Sequence, residues 1–125
     1  MDSLVLAPTK SSLAVRFDPS TGLLELEGQS YPENSHAFFA PLIEWVERFL
    51  VETAVPARLV LRLSYLNTSS TKFILDLFDI LEQHHTTGRD IRVTWCYAAD
   101  DEDILQTGED FKADLQLPFE LVAVV

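Results

Sequence analysis

The length, composition and charge of the chain limit what kind of protein it can be. Its 125 residues are enough for one domain, which we assign to residues 1–125, and a hydrophobic fraction of 47% is typical of a chain that packs a core and argues against disorder. Twenty acidic side chains against nine Lys and Arg give a net charge of -11, which repels phosphate backbones and anionic membrane surfaces. We therefore expect neither nucleic acid nor a membrane as a partner.

The N-terminal segment and the lone cysteine indicate a cytoplasmic location. Residues 1–10 lack the basic start and long apolar run of a signal peptide, and no apolar stretch reaches the length of a membrane span. Cys96 has no partner for an internal disulfide or for a cysteine-based zinc site. Its place in an alternating apolar run predicts a buried thiol.

The chain contains no motif with a recognisable catalytic or metal-binding mechanism. There is no glycine-rich phosphate loop, no nucleophile elbow and no spaced set of cysteines or histidines. The adjacent His84 and His85 would point about 100° apart on a helix, so they do not suit a shared metal. We expect no catalytic residue, no metal and no cofactor. An enzyme that uses an Asp or Glu in a cleft remains the alternative.

The first half of the chain predicts a hairpin followed by a helix. Residues 14–18 and 23–28 are β-prone runs, and Pro19, Ser20, Thr21 and Gly22 between them favour a tight reversal. Apolar residues then recur at helical spacing within residues 34–52. Pro41 predicts either a kink in this helix or a later start, because proline removes one backbone bond and clashes with the preceding turn.

The second half alternates strands with helices. Residues 57–65 predict a strand with Leu59, Leu61, Leu63 and Tyr65 on one face, and helical spacing resumes near Thr71 and ends near His85. This places Thr68 at the start of the second long helix. Residues 91–97 predict another strand. The acidic residues 100–103 suit the first turn of a third helix, and residues 119–125 suit a closing strand.

This order predicts a compact α/β domain with a mixed sheet, an N-terminal hairpin and helices that cover the sheet. Loops beyond the carboxyl ends of parallel strands commonly carry the functional site, and residues 67–70 follow such a strand. Asn67 and the hydroxyls of Thr68, Ser69 and Ser70 are candidate caps of the next helix. A phosphate there would gain from the helix dipole and add about two negative charges, so the same residues suit a charge switch.

Three segments, in order, resemble one known family. Glu-Gly-Gln-Ser-Tyr-Pro-Glu-Asn at residues 27–34, Trp-Val-Glu-Arg-Phe-Leu at 45–50 and Tyr-Leu-Asn-Thr-Ser-Ser at 65–70 closely resemble the SiaC family of bacterial regulatory phosphoproteins. The resemblance is strongest over residues 28–81. It implies a domain similar to the STAS-type antagonists of anti-sigma factors, phosphorylated on the threonine of Leu-Asn-Thr-Ser-Ser, which is Thr68 here.

The resemblance further implies the partners. A dedicated serine/threonine protein kinase would phosphorylate Thr68, a PP2C-type phosphatase would reverse the reaction, and the unphosphorylated form would bind and activate a diguanylate cyclase that controls biofilm formation. The protein itself would be non-catalytic. The alternative is an anti-sigma factor antagonist that uses the same phosphothreonine to control transcription.

Two segments are predicted to form the partner-binding surface. Thr68 is the predicted phosphorylation site, and Asn67, Ser69 and Ser70 are assigned to the contact surface because they flank it. The second segment, which starts from the Tyr-Pro-Glu-Asn motif, carries the same expectation, although a turn and cap leading into the first helix explains it as well. Its residues are Tyr31, Pro32, Glu33 and Asn34.

Overall fold

The computed structural model of the protein describes all 125 residues. The elements in chain order are β1 (Leu4–Leu6), β2 (Ala14–Phe17), β3 (Leu23–Ser30), α1 (Ser35–Glu52), β4 (Ala57–Leu66), α2 (Thr68–Thr86), β5 (Ile91–Ala98), α3 (Glu102–Ala113) and β6 (Phe119–Val124). Every predicted element is present. Strand β1 was not predicted, because three residues are too few to show a period. Helix α2 begins at Thr68, which confirms the prediction that Thr68 lies at the start of the second long helix.

The six strands form one mixed sheet in sequence order. Strands β1, β2 and β3 pair antiparallel, which confirms the predicted hairpin, and β3 to β6 run parallel. One helix joins each parallel pair, and right-handed crossovers that always step in the same direction place all three helices on one face. The core agrees with this arrangement, because Leu61 and Trp95 pack in one cluster with residues of every helix, whereas Val60 and Cys96, on the other face, are outside it.

The face of the sheet away from the helices is charged. Arg58, Arg62 and Arg92 are exposed there, and Arg62 Nη1 donates to Glu25 Oε2 at 3.0 Å. Cys96 is buried on this face, as predicted. No helix of the chain combines the length and apolar character that crossing a membrane requires.

Helix α1 starts before Pro41 and not after it. Asn34 is its N-cap, and Asn34 Oδ1 accepts from Ala37 N at 3.0 Å, which fixes the first turn. Pro41 lies inside the helix, so the later start that the proline allowed is wrong. The cap and the apolar stripe of α1 against the core outweigh the one backbone bond that proline removes.

Arg89 holds the end of α1 against the chain that enters β5. Arg89 Nη1 donates to the carbonyl oxygens of Leu50 and Thr53, both at 2.7 Å, and Nη2 donates to Val55 O at 2.6 Å. The guanidinium also lies 5.4 Å from the centre of the Phe49 ring. Burial lowers the pKa of Arg89 from its ordinary value. The carbonyl partners of Nη1 and Nη2 stabilise the cation, whereas the buried Nε has no hydrogen-bond partner.

Helix α3 approaches the sheet closely at Gly108. Trp95 Nε1 donates to Ile104 O at 3.0 Å, so the indole lies directly beneath the helix. A Cβ atom at position 108 would lie 2.5 Å from Trp95 Cδ1 and 2.9 Å from Leu121 Cδ2. Only glycine fits here without a shift of the indole or of the helix.

We expect Gly108→Ala to destabilise the fold even though alanine is the better helix former. Overpacking costs about 1–3 kcal/mol, which exceeds the roughly 1 kcal/mol that alanine gains over glycine within a helix. Urea denaturation measures the difference. Gln106→Ala, an exposed site on the same helix, is the matched control and should stay within about 0.5 kcal/mol of wild type. A Gly108→Ala protein more stable than wild type would contradict this packing.

Candidate functional site

The carboxyl ends of β3, β4 and β5 meet at one edge of the sheet, because these strands are parallel neighbours. We call this the carboxyl edge. It carries residues 31–34 between β3 and α1, Asn67 between β4 and α2, and residues 99–101 between β5 and α3. Both predicted contact segments therefore lie at the same edge.

A register shift in the sheet turns Tyr65 outward. Gly28 pairs with Leu63 but Gln29 pairs with Tyr65, so Ser64 is an extra residue on β4. Gly28 has a φ of 114°, a conformation that suits glycine at such a bulge. The alternation of β4 slips by one at this point, and Leu66 faces the core in place of Tyr65. The prediction that Tyr65 shares the face of Leu63 is therefore wrong.

Tyr65 and Tyr31 form an exposed aromatic pair beside the start of α2. Their ring centres are 6.1 Å apart in an edge-on arrangement, and the side chains are 50% and 36% exposed respectively. Tyr31 N donates to Ser11 O at 2.8 Å, which fixes the backbone of the first segment. Exposed tyrosines are frequent anchors of protein interfaces, and sequence periodicity gave no signal for Tyr65 because it predicted burial.

Of the candidate caps of α2, the structure selects Asn67. Asn67 Oδ1 accepts from Ser70 N at 2.8 Å and from Ser69 Oγ at 3.2 Å. Asn67 O accepts both the backbone N–H and the hydroxyl of Thr71, each at 3.0 Å. Thr68 is the first residue of the helix, and its hydroxyl takes no part in the cap.

Ser70 faces the interior and joins α2 to β3. Its side chain is 0% exposed, its hydroxyl lies 2.7 Å from Ser30 Oγ, and it donates to Ser30 O at 3.2 Å. Asn67 N donates to the same Ser30 carbonyl at 3.0 Å. The expectation that Ser70 contributes its side chain to a contact surface is therefore wrong, because every polar atom of that side chain is enclosed and bonded.

Ser69 is exposed, but its hydroxyl is also engaged. Ser69 Oγ lies 2.6 Å from Ser35 Oγ and donates to Asn67 Oδ1. Ser35 is the first residue of α1 and only 8% exposed, so this contact links the starts of the two helices. A serine directly after the predicted cap at Asn34 was visible in the sequence, but its pairing with a residue 34 positions away was not.

Thr68 differs from its three hydroxyl neighbours. It is exposed, and its hydroxyl makes no hydrogen bond within the protein, whereas Ser69, Ser70 and Thr71 are all bonded. The prediction that Thr68 reaches the surface is confirmed. Its role as a phosphorylation site stays a prediction at this point.

The segment at residues 31–34 serves as a turn and a cap. Asn34 caps α1, while Glu33 and Asn34 are exposed and Pro32 is half-buried. Ser35, which follows it, connects it to Ser69. The turn-and-cap explanation is thus confirmed, and partner binding by these residues remains a prediction.

A depression beside the first turn of α2 carries two acidic side chains. Asp101 and Asp103 line a depression of about 260 Å³ together with Tyr65 and Thr71, which is one helical turn from Thr68. Asp101 Oδ1 caps α3 by accepting from Ile104 N at 3.0 Å. Lys72, on the next turn of α2, is exposed and forms no salt bridge. No group of three or more His, Cys, Asp or Glu side chains is arranged to hold a metal ion.

The family profile and the solved structures that resemble this chain carry the same family name. A family profile described as SiaC family regulatory phosphoprotein matches residues 6–124. An uncharacterised protein of Pseudomonas aeruginosa is 42% identical over 123 residues, which cover 98% of each chain. The crystal structure of apo-SiaC from Pseudomonas aeruginosa has a TM-score of 0.93 at 41% identity and covers 98% of this chain and 100% of that one. A chain in the crystal structure of diguanylate cyclase SiaD in complex with its activator SiaC, from the same organism, has a TM-score of 0.94 at 41% identity, covering 97% and 99%.

Because Asn67 and not Thr68 caps α2, the two alanine substitutions should differ in stability. We expect Asn67→Ala to lower the free energy of unfolding by about 0.5–2 kcal/mol, the usual cost of losing a cap. Thr68→Ala removes an exposed, unbonded hydroxyl and should change it by less than about 0.5 kcal/mol. Urea denaturation of both variants provides the measurement, and equal losses would contradict the assignment of the cap.

Proposed function

The chain belongs to the SiaC family of regulatory phosphoproteins, and on that premise we propose that it is a non-catalytic partner-switching protein that binds and activates a diguanylate cyclase. In this proposal the unphosphorylated form binds the cyclase. A serine/threonine protein kinase switches binding off by phosphorylating Thr68, and a PP2C-type phosphatase restores it.

The choice of a cyclase as the partner is supported by the similar protein of Pseudomonas aeruginosa. That protein forms a complex with the diguanylate cyclase SiaD as its activator, and the similarity to this chain covers nearly the full length of both. The rival target, an anti-sigma factor, has no comparable support. We therefore favour cyclic dinucleotide signalling over control of transcription.

The observation that carries the choice of Thr68 is its free hydroxyl. A kinase needs a substrate hydroxyl that can enter its active site and pass its proton to a base. Thr68 is exposed and unbonded, while the hydroxyl of Ser70 is enclosed and that of Thr71 is bonded to Asn67 O. Modification of Thr68 therefore breaks no hydrogen bond of the fold.

The direction of the switch follows from charge and desolvation. A phosphate on Thr68 adds about two negative charges and three strong acceptors at a turn whose Thr71 shares a depression with Asp101 and Asp103. Lys72 is the nearest unpaired cation on α2, and one exposed lysine compensates such a group only weakly. A partner that packs closely over unmodified Thr68 would have to enclose the phosphate once Thr68 is modified. We expect the cost to be comparable to the roughly 1–3 kcal/mol of typical regulatory coupling.

The side chains of the carboxyl edge suit binding better than catalysis. The depression beside Thr71 is lined by Asp101, Asp103, hydroxyls and apolar groups, with no histidine, cysteine or lysine. The carboxylate of Asp101 is already occupied as a cap. This favours a protein that leaves the chemistry to its partners over an enzyme that uses an Asp or Glu in a cleft.

We expect substitutions of Thr68 to separate folding from binding. Thr68→Ala adds no charge, so it should bind the cyclase with wild-type affinity and keep its melting temperature. Thr68→Asp places a carboxylate in the contact, so it should bind at least about tenfold more weakly without unfolding, since an Asp in the first turn of a helix is tolerated. Calorimetry with a diguanylate cyclase from the native host, together with thermal melting, measures both quantities.

Thr86→Asp is the matched control for the added charge. Thr86 is exposed at the opposite end of α2, so the same charge there should leave cyclase affinity unchanged. Equal affinity of wild type, Thr68→Asp and the authentic phosphoprotein would refute the switch. Recovery of an anti-sigma factor instead of a cyclase, in a pull-down with Thr68→Ala as bait, would refute the choice of partner.

We also expect Tyr65 to anchor the cyclase. Truncation of an aromatic anchor in an interface typically costs 2 kcal/mol or more, so Tyr65→Ala should weaken binding by about thirtyfold. Its melting temperature should change little, because half of the side chain is already exposed. Val51→Ala, an exposed apolar site at the far end of α1, is the control that should bind normally. Wild-type affinity of Tyr65→Ala would exclude the tyrosine pair from the interface.

A further inference from the structure

Two exposed hydroxyls lie side by side at the start of α2. Thr68 and Ser69 are both at the surface, so exposure alone does not explain why a kinase should choose one of them. The two differ in their bonds. Ser69 Oγ lies 2.6 Å from Ser35 Oγ and 3.2 Å from Asn67 Oδ1, whereas the Thr68 hydroxyl has no partner in the protein.

We propose that Ser35 restricts phosphorylation to Thr68 by holding the Ser69 hydroxyl in a hydrogen bond that phosphoryl transfer would have to break. Ser35 is thus a specificity-determining residue that lies on a different helix and 34 positions from the residue it protects. The inference rests on the proposed function, because it assumes that a kinase acts at this turn.

The direction of each hydrogen bond follows from the number of protons available. Ser69 has one hydroxyl proton and donates it to Asn67 Oδ1, so Ser35 must be the donor in the short contact between the two serines. Ser69 therefore uses its proton and one lone pair inside the protein. Ser35 is 8% exposed, so water competes weakly for this bond.

Phosphoryl transfer to Ser69 would need both the hydroxyl proton and the hydroxyl oxygen of Ser69. Ser69 Oγ would form a bond to the γ-phosphorus of ATP, the bond from that phosphorus to the bridging oxygen would break, and ADP would leave. The hydroxyl proton would pass to a base of the kinase. This requires that the proton leave Asn67. The second lone pair of Ser69 Oγ is free, but the short contact holds this oxygen against the nearly buried Ser35, so reaching the phosphorus requires that contact to be released. Thr68 can react without either change.

The test places wild type and variants in the same kinase reaction. In a Thr68→Val background, which removes the preferred acceptor with little change of shape, Ser69 is the remaining exposed hydroxyl of this turn. Each protein is incubated with the host kinase and magnesium ATP, and mass spectrometry measures phosphate on each residue of the turn. Wild type is compared with three variants: Thr68→Val alone, Thr68→Val with Ser35→Ala, and Thr68→Val with Ser35→Thr.

We expect Thr68→Val alone to take up little phosphate, and Thr68→Val with Ser35→Ala to phosphorylate Ser69 about five- to tenfold faster, the factor that corresponds to one hydrogen bond. Ser35→Thr keeps the donor, so it should restore the low rate. Ser70 is an internal reporter of unfolding, because its hydroxyl is enclosed in the folded protein. It should stay unmodified in all three proteins.

The outcomes separate this inference from the proposed function. If the kinase leaves Thr68 of the wild-type chain unmodified, the proposed function fails. If wild type is phosphorylated on Thr68 but Ser35→Ala brings no gain at Ser69, the selectivity belongs to the kinase and the role of Ser35 is overturned. If Ser35→Ala increases phosphorylation of both Ser69 and Ser70, or if Ser35→Thr increases it at Ser69 as much as Ser35→Ala does, the turn has loosened in general. Either result also overturns the role of Ser35.

Discussion

The buried contact between Ser30 and Ser70 is the constraint on which the arrangement of the carboxyl edge depends. It joins the last residue of β3 to the first turn of α2, across 40 positions of sequence. The Ser30 carbonyl oxygen also accepts from the Ser70 hydroxyl and from the backbone N–H of Asn67. Successive residues of a helix lie about 100° apart, so Thr68, two residues before Ser70, lies about 200° from it. The bond that turns Ser70 inward therefore turns Thr68 outward, and Ser69, between them, meets Ser35 at the start of α1.

The order and type of the elements could be predicted because each has a clear period. Helical spacing in α1 and α2 and alternation in β4 and β5 reflect a single core, and the mixed sheet follows from the hairpin and the crossovers. Tyr65 shows where this reasoning fails. A bulge of one residue reverses the alternation of a strand, and the glycine that accommodates it, Gly28, lies on the neighbouring strand. The pattern of β4 alone contains no sign of the shift.

The site was less predictable than the fold because its residues pair across segments. The resemblance of residues 65–70 to a family motif indicated Thr68, and the turn chemistry around it indicated caps. Neither indicated that Ser70 is enclosed while Ser69 and Thr68 are exposed, since three adjacent hydroxyls look alike in sequence. What distinguishes them is their partners, Ser30 and Ser35, which are on β3 and α1. Only the packing of α1 beside α2 creates those pairs.

The first turn of α2 assigns its structural bonds to three residues and leaves Thr68 free of them. Asn67 satisfies the free backbone groups of the helix, Ser70 connects the helix to the sheet, and Ser69 connects it to α1. Thr68 carries none of these bonds. A group that stabilises nothing in the fold can gain two negative charges without releasing the helix, so the phosphorylation that we propose at Thr68 would act on partner binding and leave the fold of this turn intact. A phosphate on Ser69 or Ser70 would instead break the bonds that these hydroxyls make to Ser35, Asn67 and Ser30, so the proposed switch fits Thr68 better than its neighbours.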